Sequence, residues 1–257
     1  MLTLQGKIAF VTGASRGIGR GIAVAFAHAG ADVALNFHSH GEEADEVAAK
    51  IRATGRRVLL CPGDVADNAA VEGMVEHVVR EFGRLDIAVG NAAYTQRQLF
   101  HEADLAAFHR TIDVTMWGAF HVFRAAARQM ILQGDGGNLV GISSPHAYLP
   151  IPTSMAYNMA KAAMDQMART AALEMIEHRI RVNLVHPGWI DTPGERSRAG
   201  DDEIAAAAAK LPWGRMGLPD EIARAVVFLC DPASDYITGS SLLVDGGFTL
   251  AAGIRAR

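Results

Sequence analysis

Tyr157 and Lys161 stand four residues apart in Ser154-Met-Ala-Tyr-Asn-Met-Ala-Lys161, and Ser143-Ser144 precedes them at the end of an apolar run. Met155 to Met167 contains neither Gly nor Pro, so the spacing predicts a helix that presents both side chains on one face. A free phenol ionises near pH 10, too high for a general base at neutral pH. A fixed ammonium beside it favours phenolate, which equips Tyr157 to exchange a proton with an alcohol or carbonyl oxygen. Ser144 closes Asn138-Leu-Val-Gly-Ile-Ser-Ser144, where its hydroxyl could hold that same oxygen. Taken alone, Tyr-x-x-x-Lys is more often a solvated lysine snorkelling over a packed ring. The elements around it decide.

The first of those elements is Lys7-Ile-Ala-Phe-Val-Thr12, an apolar run of the kind a buried parallel strand shows. It breaks at Gly13-Ala-Ser-Arg-Gly-Ile-Gly19 and resumes as a helical run, Ile22 to Ala29, stopped by Gly30. Strand, glycine turn and helix make up the layout of a dinucleotide phosphate site, with Gly13, Ser15, Arg16, Gly17, Ile18 and Gly19 as candidates. The spacing is G-x-x-x-G-x-G and so departs from G-x-G-x-x-G. The second strand, Asp32 to Phe37, ends in Asn36, Phe37, His38 and Ser39 with no carboxylate before Glu42. An acid at that point would suit a ribose 2'-hydroxyl. Its lack, with Arg16 in the turn, favours NADP, with NAD possible.

Further strands are predicted at 57–61, 85–89, 139–143, 181–185 and 241–244. Helices are predicted at 69–82, 104–130 and 219–229, the second of them long and unbroken. Regular alternation implies an α/β fold with a parallel sheet wrapped on both faces. A chain of 257 residues, half of them hydrophobic, suits one large domain. The segment 194–213 begins charged (Glu195, Arg196, Arg198, Asp201, Asp202), turns helical and follows the sixth strand. It reads as a substrate lid, or else as a plain surface insertion.

A net charge of -4 with no basic run argues against a nucleic-acid partner. No apolar stretch approaches the length of a membrane span. Cys61 and Cys230 lie far apart in apolar surroundings, as buried thiols of a reducing compartment would. The opening Met1 to Lys7 runs into the first strand with no charged-then-apolar leader. A cytoplasmic protein is expected.

Together these segments resemble the short-chain dehydrogenase/reductase family over nearly the whole chain. Thr12 to Gly19 is similar to its cofactor turn, Asp64-Val65 to its adenine contact, and Gly90-Asn91-Ala92-Ala93 to its Asn-Asn-Ala-Gly segment. Ser144, Tyr157 and Lys161 match its catalytic set. Asn183 through Pro187, Gly188 and Ile190 to Thr192 matches its nicotinamide-side loop. The resemblance implies a Rossmann-type, doubly wound, seven-stranded parallel subunit, usually in a homotetramer. It also implies hydride transfer between NAD(P) and a small carbonyl or alcohol, without a metal, with Lys161 also holding the nicotinamide ribose.

Three departures stand out. Ile112-Asp-Val-Thr-Met-Trp-Gly-Ala-Phe120 places Thr115 where the family carries a catalytic Asn that bends the helix and positions a proton-relay water. One hydroxyl in place of an amide offers a poorer relay, so a cofactor-binding protein with little or no turnover is the rival expectation. Gly90 and Ala93 replace the outer Asn and Gly of the fourth-strand motif, and Ala160 stands where Ser commonly precedes the lysine. The substrate pocket is expected from Tyr94, Pro145, His146, Tyr148, Ile151 and Trp189. His146 could contact substrate or merely finish a loop. Asn36 to Ser39 followed by Glu42-Glu43 is similar to glucose 1-dehydrogenases and to 3-oxoacyl carrier-protein reductases without choosing between them. Enoyl reductases, which usually space the Tyr and Lys more widely, fit less well.

Overall fold

A computed structural model describes residues 4–197 and 199–252. Met1 to Thr3 of the opening segment and Arg198 of the expected lid lie outside the described residues. The apolar runs form strands flanked by Gly, Pro or polar turns; the central runs at 8–11, 87–90 and 180–187 are buried throughout, whereas the edge runs at 58–62 and 241–244 are partly exposed. In chain order come β1 (Ile8–Val11), α1 (Gly17–His28), β2 (Asp32–Phe37), α2 (Gly41–Ala53), β3 (Val58–Pro62), α3 (Asn68–Phe82) and β4 (Ile87–Gly90). Then follow α4 (Leu105–Ile112), α5 (Gly118–Gln133), β5 (Gly137–Ile142), α6 (Met155–Glu174) and β6 (Ile180–Pro187). The chain closes with α7 (Pro193–Arg196), α8 (Asp201–Ala208), α9 (Pro219–Cys230), β7 (Ser241–Val244) and α10 (Phe248–Ala252).

The seven strands lie in the order β3-β2-β1-β4-β5-β6-β7, and every pairing is parallel. After β3 the chain crosses to the other side of β1, so the connections leaving β1 and β4 diverge and open a crevice at the carboxyl edge. One apolar core packs α1, α2 and α9 on one face through Ile22, Phe26, Ile51 and Val226. The other packs α3, α5 and α6 on the opposite face through Val78, Val122, Phe123 and Met164. Each such side chain, fully buried, contributes about 1.5–3 kcal/mol. A third, small cluster of Ile204, Ala208 and Met216 supports the segment after β6. No helix among the described residues is long and apolar enough to cross a membrane.

The expected single helix over 104–130 is interrupted. Asp104 caps α4 by accepting from the Ala107 amide at 2.8 Å, but Asp113–Trp117 is a π-helical turn before α5 begins. Two contacts hold the widened turn. Thr115 Oγ1 donates to the Tyr94 carbonyl at 2.9 Å and accepts from the Tyr94 amide at 3.0 Å. Gly118 lets the helix approach Val65 so closely that a Cβ would meet the Val65 side chain at 2.6 Å. The bend survives with threonine in place of asparagine.

Candidate active site

β5 and α6 bring the chemistry together. Strand β5 delivers Ser144 to the carboxyl edge of the sheet, and α6 rises beside it with Tyr157 in its first turn and Lys161 one turn on. Lys161 is buried, and its Nζ donates to the Ile142 carbonyl at 2.6 Å. That bond ties the helix to the strand end two residues before Ser144. Nζ also lies 5.3 Å from the centre of the Tyr157 ring, close enough for its charge to act on the phenol. Burial lowers the Lys161 pKa to about 7, opposed by the Asp165 carboxylate. An ammonium poised near neutrality is what pKa tuning at a working site produces. Ser144 Oγ accepts from the His146 amide at 3.3 Å, which leaves its proton available to another oxygen.

Asp165 lies one turn beyond Lys161 on α6 and is buried too. Its Oδ1 accepts from Ser143 Oγ at 2.5 Å, and Oδ2 lies 3.2 Å from the buried His186 Nε2 on β6 and 3.7 Å from Arg169 Nη2. Strand β5 is therefore fastened to α6 twice, through Ile142 and through Ser143. Sequence reasoning passed over Asp165, although the four-residue step from Lys161 placed it on the same helix face.

A cavity of about 370 Å³ opens over these groups. Of the expected site residues it is lined by Ser144, Pro145, His146, Ile151, Tyr157, Lys161, Pro187, Gly188, Trp189, Ile190 and Thr192. His146 Nδ1 lies 2.6 Å from Asn158 Oδ1, while Asn158 Nδ2 donates to the Ile151 carbonyl. The network assigns the proton to Nδ1 and leaves Nε2 an acceptor. Burial lowers the His146 pKa, so the ring is neutral at pH 7, and it meets the Tyr157 ring edge-on at 5.0 Å. Tyr148 stands elsewhere, stacked on His186 at 5.6 Å. Tyr94 lies at the rim of the neighbouring cleft, its hydroxyl 3.3 Å from Gln96 Oε1. Thr115 does not line the cavity; both its hydrogen bonds go to the Tyr94 backbone. Glu195 of the expected lid lines it as well, and so do Thr95, Arg97, Ser154 and Phe248, which had not been singled out for the pocket.

The second cleft, about 390 Å³, runs along the carboxyl edge past β1 and β2. It gathers Gly13, Ser15, Arg16, Gly17, Ile18, Gly19, Phe37, His38, Ser39, Asp64, Val65, Asn91, Ala92 and Ala93. Ile18, Asn91, Ala93 and Thr192 line both cavities, so the two share walls. The turn is built for close approach of a ligand. Gly13 and Gly17 adopt φ of +60° and +57°, and a Cβ on Gly19 would sit 2.3 Å from the Gly13 carbonyl oxygen. Asn91 Nδ2 pins the turn by donating to the Thr12 and Gly13 carbonyls at 2.8 and 3.1 Å. Helix α1 begins inside the turn at Gly17, with no side-chain cap and no acid in its first turn. Its first amides are left for an anion, and a dinucleotide pyrophosphate fits this donor set.

In the same cleft Arg16 is exposed and makes no ion pair with a described residue. Asn36, by contrast, is buried, accepts from the Gly13 amide and donates to the Cys61 and Gly63 carbonyls. It braces the turn from behind. Arg110, which the sequence reading missed, reaches across from α4 to Asp64 Oδ2 at 2.7 Å. Burial raises the Asp64 pKa, but the Arg110 and Ala66 hydrogen bonds outweigh it and hold the carboxyl below its usual range. His38 Nε2 lies 4.0 Å from the same oxygen.

A family model described as Enoyl-(Acyl carrier protein) reductase matches residues 13–249. The L-rhamnose 1-dehydrogenase (NAD(P)(+)) of Sphingomonas sp. (strain SKA58) is 39% identical over 249 residues, 96% of this chain and 98% of that protein. Glucose 1-dehydrogenase 2 of Bacillus subtilis is 34% identical over 96% of each chain. Among solved structures, a short-chain type dehydrogenase/reductase from Mycobacterium marinum superposes with a TM-score of 0.90, at 38% identity, over 96% of this chain and 97% of that one.

Proposed function

The chain belongs to the short-chain dehydrogenase/reductase family, and from that premise we propose that it is an NADP(H)-dependent oxidoreductase acting between a ketone and a secondary alcohol. The enzyme class is that of its relatives, which are dehydrogenases by name. The observation that carries the finer reading is the buried Lys161 ammonium 5.3 Å from the Tyr157 ring, beside Ser144 in one cavity. When bound, the nicotinamide cofactor supplies or accepts the hydride.

The residues do the rest. The Gly13–Gly19 turn and the start of α1 hold the pyrophosphate, and Asp64-Val65 meets the adenine. Asn91 to Ala93 and Pro187 to Thr192 would hold the nicotinamide half. Lys161 holds the ribose and favours the phenolate, Tyr157 trades a proton with the substrate oxygen, and Ser144 orients that oxygen. The lack of an acid at the end of β2 and Arg16, which pairs with no described residue, support NADP over NAD. The names of the relatives support a sugar-like substrate, with 3-oxoacyl groups the neighbouring choice. The one-turn spacing of Tyr157 and Lys161 supports carbonyl or alcohol chemistry over reduction of an enoyl bond. We read the whole chain as one such domain, with 194–213 closing over the cavity as a lid. Cys61 and Cys230, buried and pushed up to about 12 by burial, support a reducing cytoplasmic setting.

The test is a panel of carbonyls and alcohols followed by nicotinamide absorbance, with NADPH and NADH in parallel. Tyr157→Phe should lose at least about a hundredfold in kcat, the scale of a lost proton-transfer group, and normal turnover by that variant would end the proposal. A second reading, cofactor binding with little turnover, rests on the Thr115 hydroxyl already engaged by Tyr94. The same panel decides it, because that reading requires wild-type protein to bind NADPH and to reduce every carbonyl weakly or not at all.

A further inference from the structure

Arg97 lines the cavity that holds Ser144 and Tyr157, yet its guanidinium makes no hydrogen bond or ion pair with any described residue. Three other arginines near the clefts do find partners, although Arg16 in the cofactor cleft does not pair with a described residue. Arg110 is paired with Asp64, Arg196 with Asp191 and Arg215 with Glu221. The acid that shares the cavity lining, Glu195, accepts from Trp189 Nε1 at 3.0 Å.

The loop carrying Arg97 is docked against the entrance to α6. The Gln98 amide donates to the Thr153 carbonyl at 2.8 Å, and Gln98 bridges Ser154. Thr153 is held at φ +66°, a left-handed conformation that a β-branched residue rarely adopts and that persists only where the surroundings impose it. What this posture delivers to the cavity is the start of a 20-residue helix whose capping position, Ser154, makes no side-chain cap bond. Ser154 Oγ is buried and has no hydrogen-bond partner among the described residues, and the residue lines the same cavity. The first amides of α6 lack intrahelical acceptors and carry the positive end of its dipole.

An exposed guanidinium with no partner among the described residues and a buried, unsatisfied hydroxyl at the uncapped start of α6 line one cavity. We propose that they form a carboxylate subsite, so that the substrate is a hydroxy or oxo acid anchored by Arg97 while its alcohol or carbonyl carbon lies at Tyr157. A single planar fork matches a carboxylate in bidentate fashion, and Glu195, which lines the same cavity, opposes a phosphate dianion more strongly than a carboxylate. This deepens, and rests on, the hydride-transfer reading of the cavity.

The experiment compares acids with neutral counterparts: D-gluconate with D-glucose, 3-hydroxybutyrate with butan-2-ol, and lactate with propane-1,2-diol. Binding to the NADP-loaded protein is followed by calorimetry and turnover by nicotinamide absorbance, for wild type, Arg97→Lys and Arg97→Gln. NADPH titration of each variant reports that it is folded. The expected result is at least one pair in which wild type favours the acid about tenfold or more, about 1.4 kcal/mol. Arg97→Gln should remove that preference, and Arg97→Lys, which keeps charge without the fork, should retain part of it. Absence of acid preference in every pair, or its survival in Arg97→Gln, overturns the subsite. The hydride reading fails separately, if NADPH binds but nothing on the wider panel is turned over; the calorimetric preference still judges the subsite in that case.

Discussion

At the level of single residues, the buried charges of α6 determine how the phenol works. Lys161 is driven to about pH 7 by burial, and Asp165 pushes the other way. Asp165 is itself faced by Ser143 from β5, His186 from β6 and Arg169 from its own helix, so an exchange of Asp for Asn keeps an acceptor for Ser143 while deleting the charge. The sign follows directly. With the opposing carboxylate gone, the Lys161 ammonium loses its proton at lower pH. Carbonyl reduction requires the ammonium and a protonated Tyr157, so its kcat/KM falls as pH rises through the Lys161 titration. Asp165→Asn should therefore move the alkaline limb of that profile downward by about one unit. Ser143→Ala, which breaks the bond and leaves the charge, should leave the limb in place. Equal displacement by both variants would mean that Asp165 acts only by packing.

Among the elements, the glycine turn is where local preference and assembled structure disagree most sharply. Helix propensity alone favours Ala over Gly at position 19 by about 1 kcal/mol, since Gly19 lies inside α1. The added Cβ would meet the Gly13 carbonyl at 2.3 Å and Asn91 Nδ2 at 2.5 Å, so the turn must open. Gly19→Ala should keep a native circular dichroism spectrum and bind NADPH at least about tenfold more weakly, about 1.4 kcal/mol; unchanged affinity in a fluorescence titration would refute this role for the turn. Much of the scaffold was legible beforehand because apolar strand runs and helical periodicity alternate without interruption, and the strands fall within one or two residues of the expected bounds. The π-helical break at Asp113–Trp117 was not, because its cause is tertiary: a Thr115 hydroxyl captured by Tyr94 and a Gly118 contact with Val65. Arg97 and Arg110 escaped for a related reason. They sit in segments whose local pattern signals only a loop or a helix, and only folding carries them into the clefts.

For the molecule as a whole, the exposed aromatic cluster at the junction of the π turn and α5 is the apolar feature that suggests association. Leu105 and Leu132 are 70% and 83% exposed, and Trp117 and Phe120 stand out of the π turn and the helix after it. Their rings meet edge-on at 5.7 Å, with His121 stacked on Trp117 at 5.9 Å. Apolar clusters of this kind on a folded surface mark association, and we propose that this face pairs about one two-fold axis while a different patch pairs about a second, which gives a homotetramer. In a two-fold contact each substitution enters twice, so replacing both rings with charge forfeits burial worth about 1.5–3 kcal/mol per side chain on each copy. It also sets like charges opposite one another. Trp117→Glu with Phe120→Glu should therefore halve the mass seen by light scattering, from four chains to two, while wild type stays at four. Activity should fall with the mass, because Trp117 closes the π turn from which Thr115 holds the Tyr94 backbone at the edge of the cofactor cleft. A variant that kept four chains would move the interface elsewhere, and one that dissociated with full turnover would show that the π turn holds its shape without a neighbour.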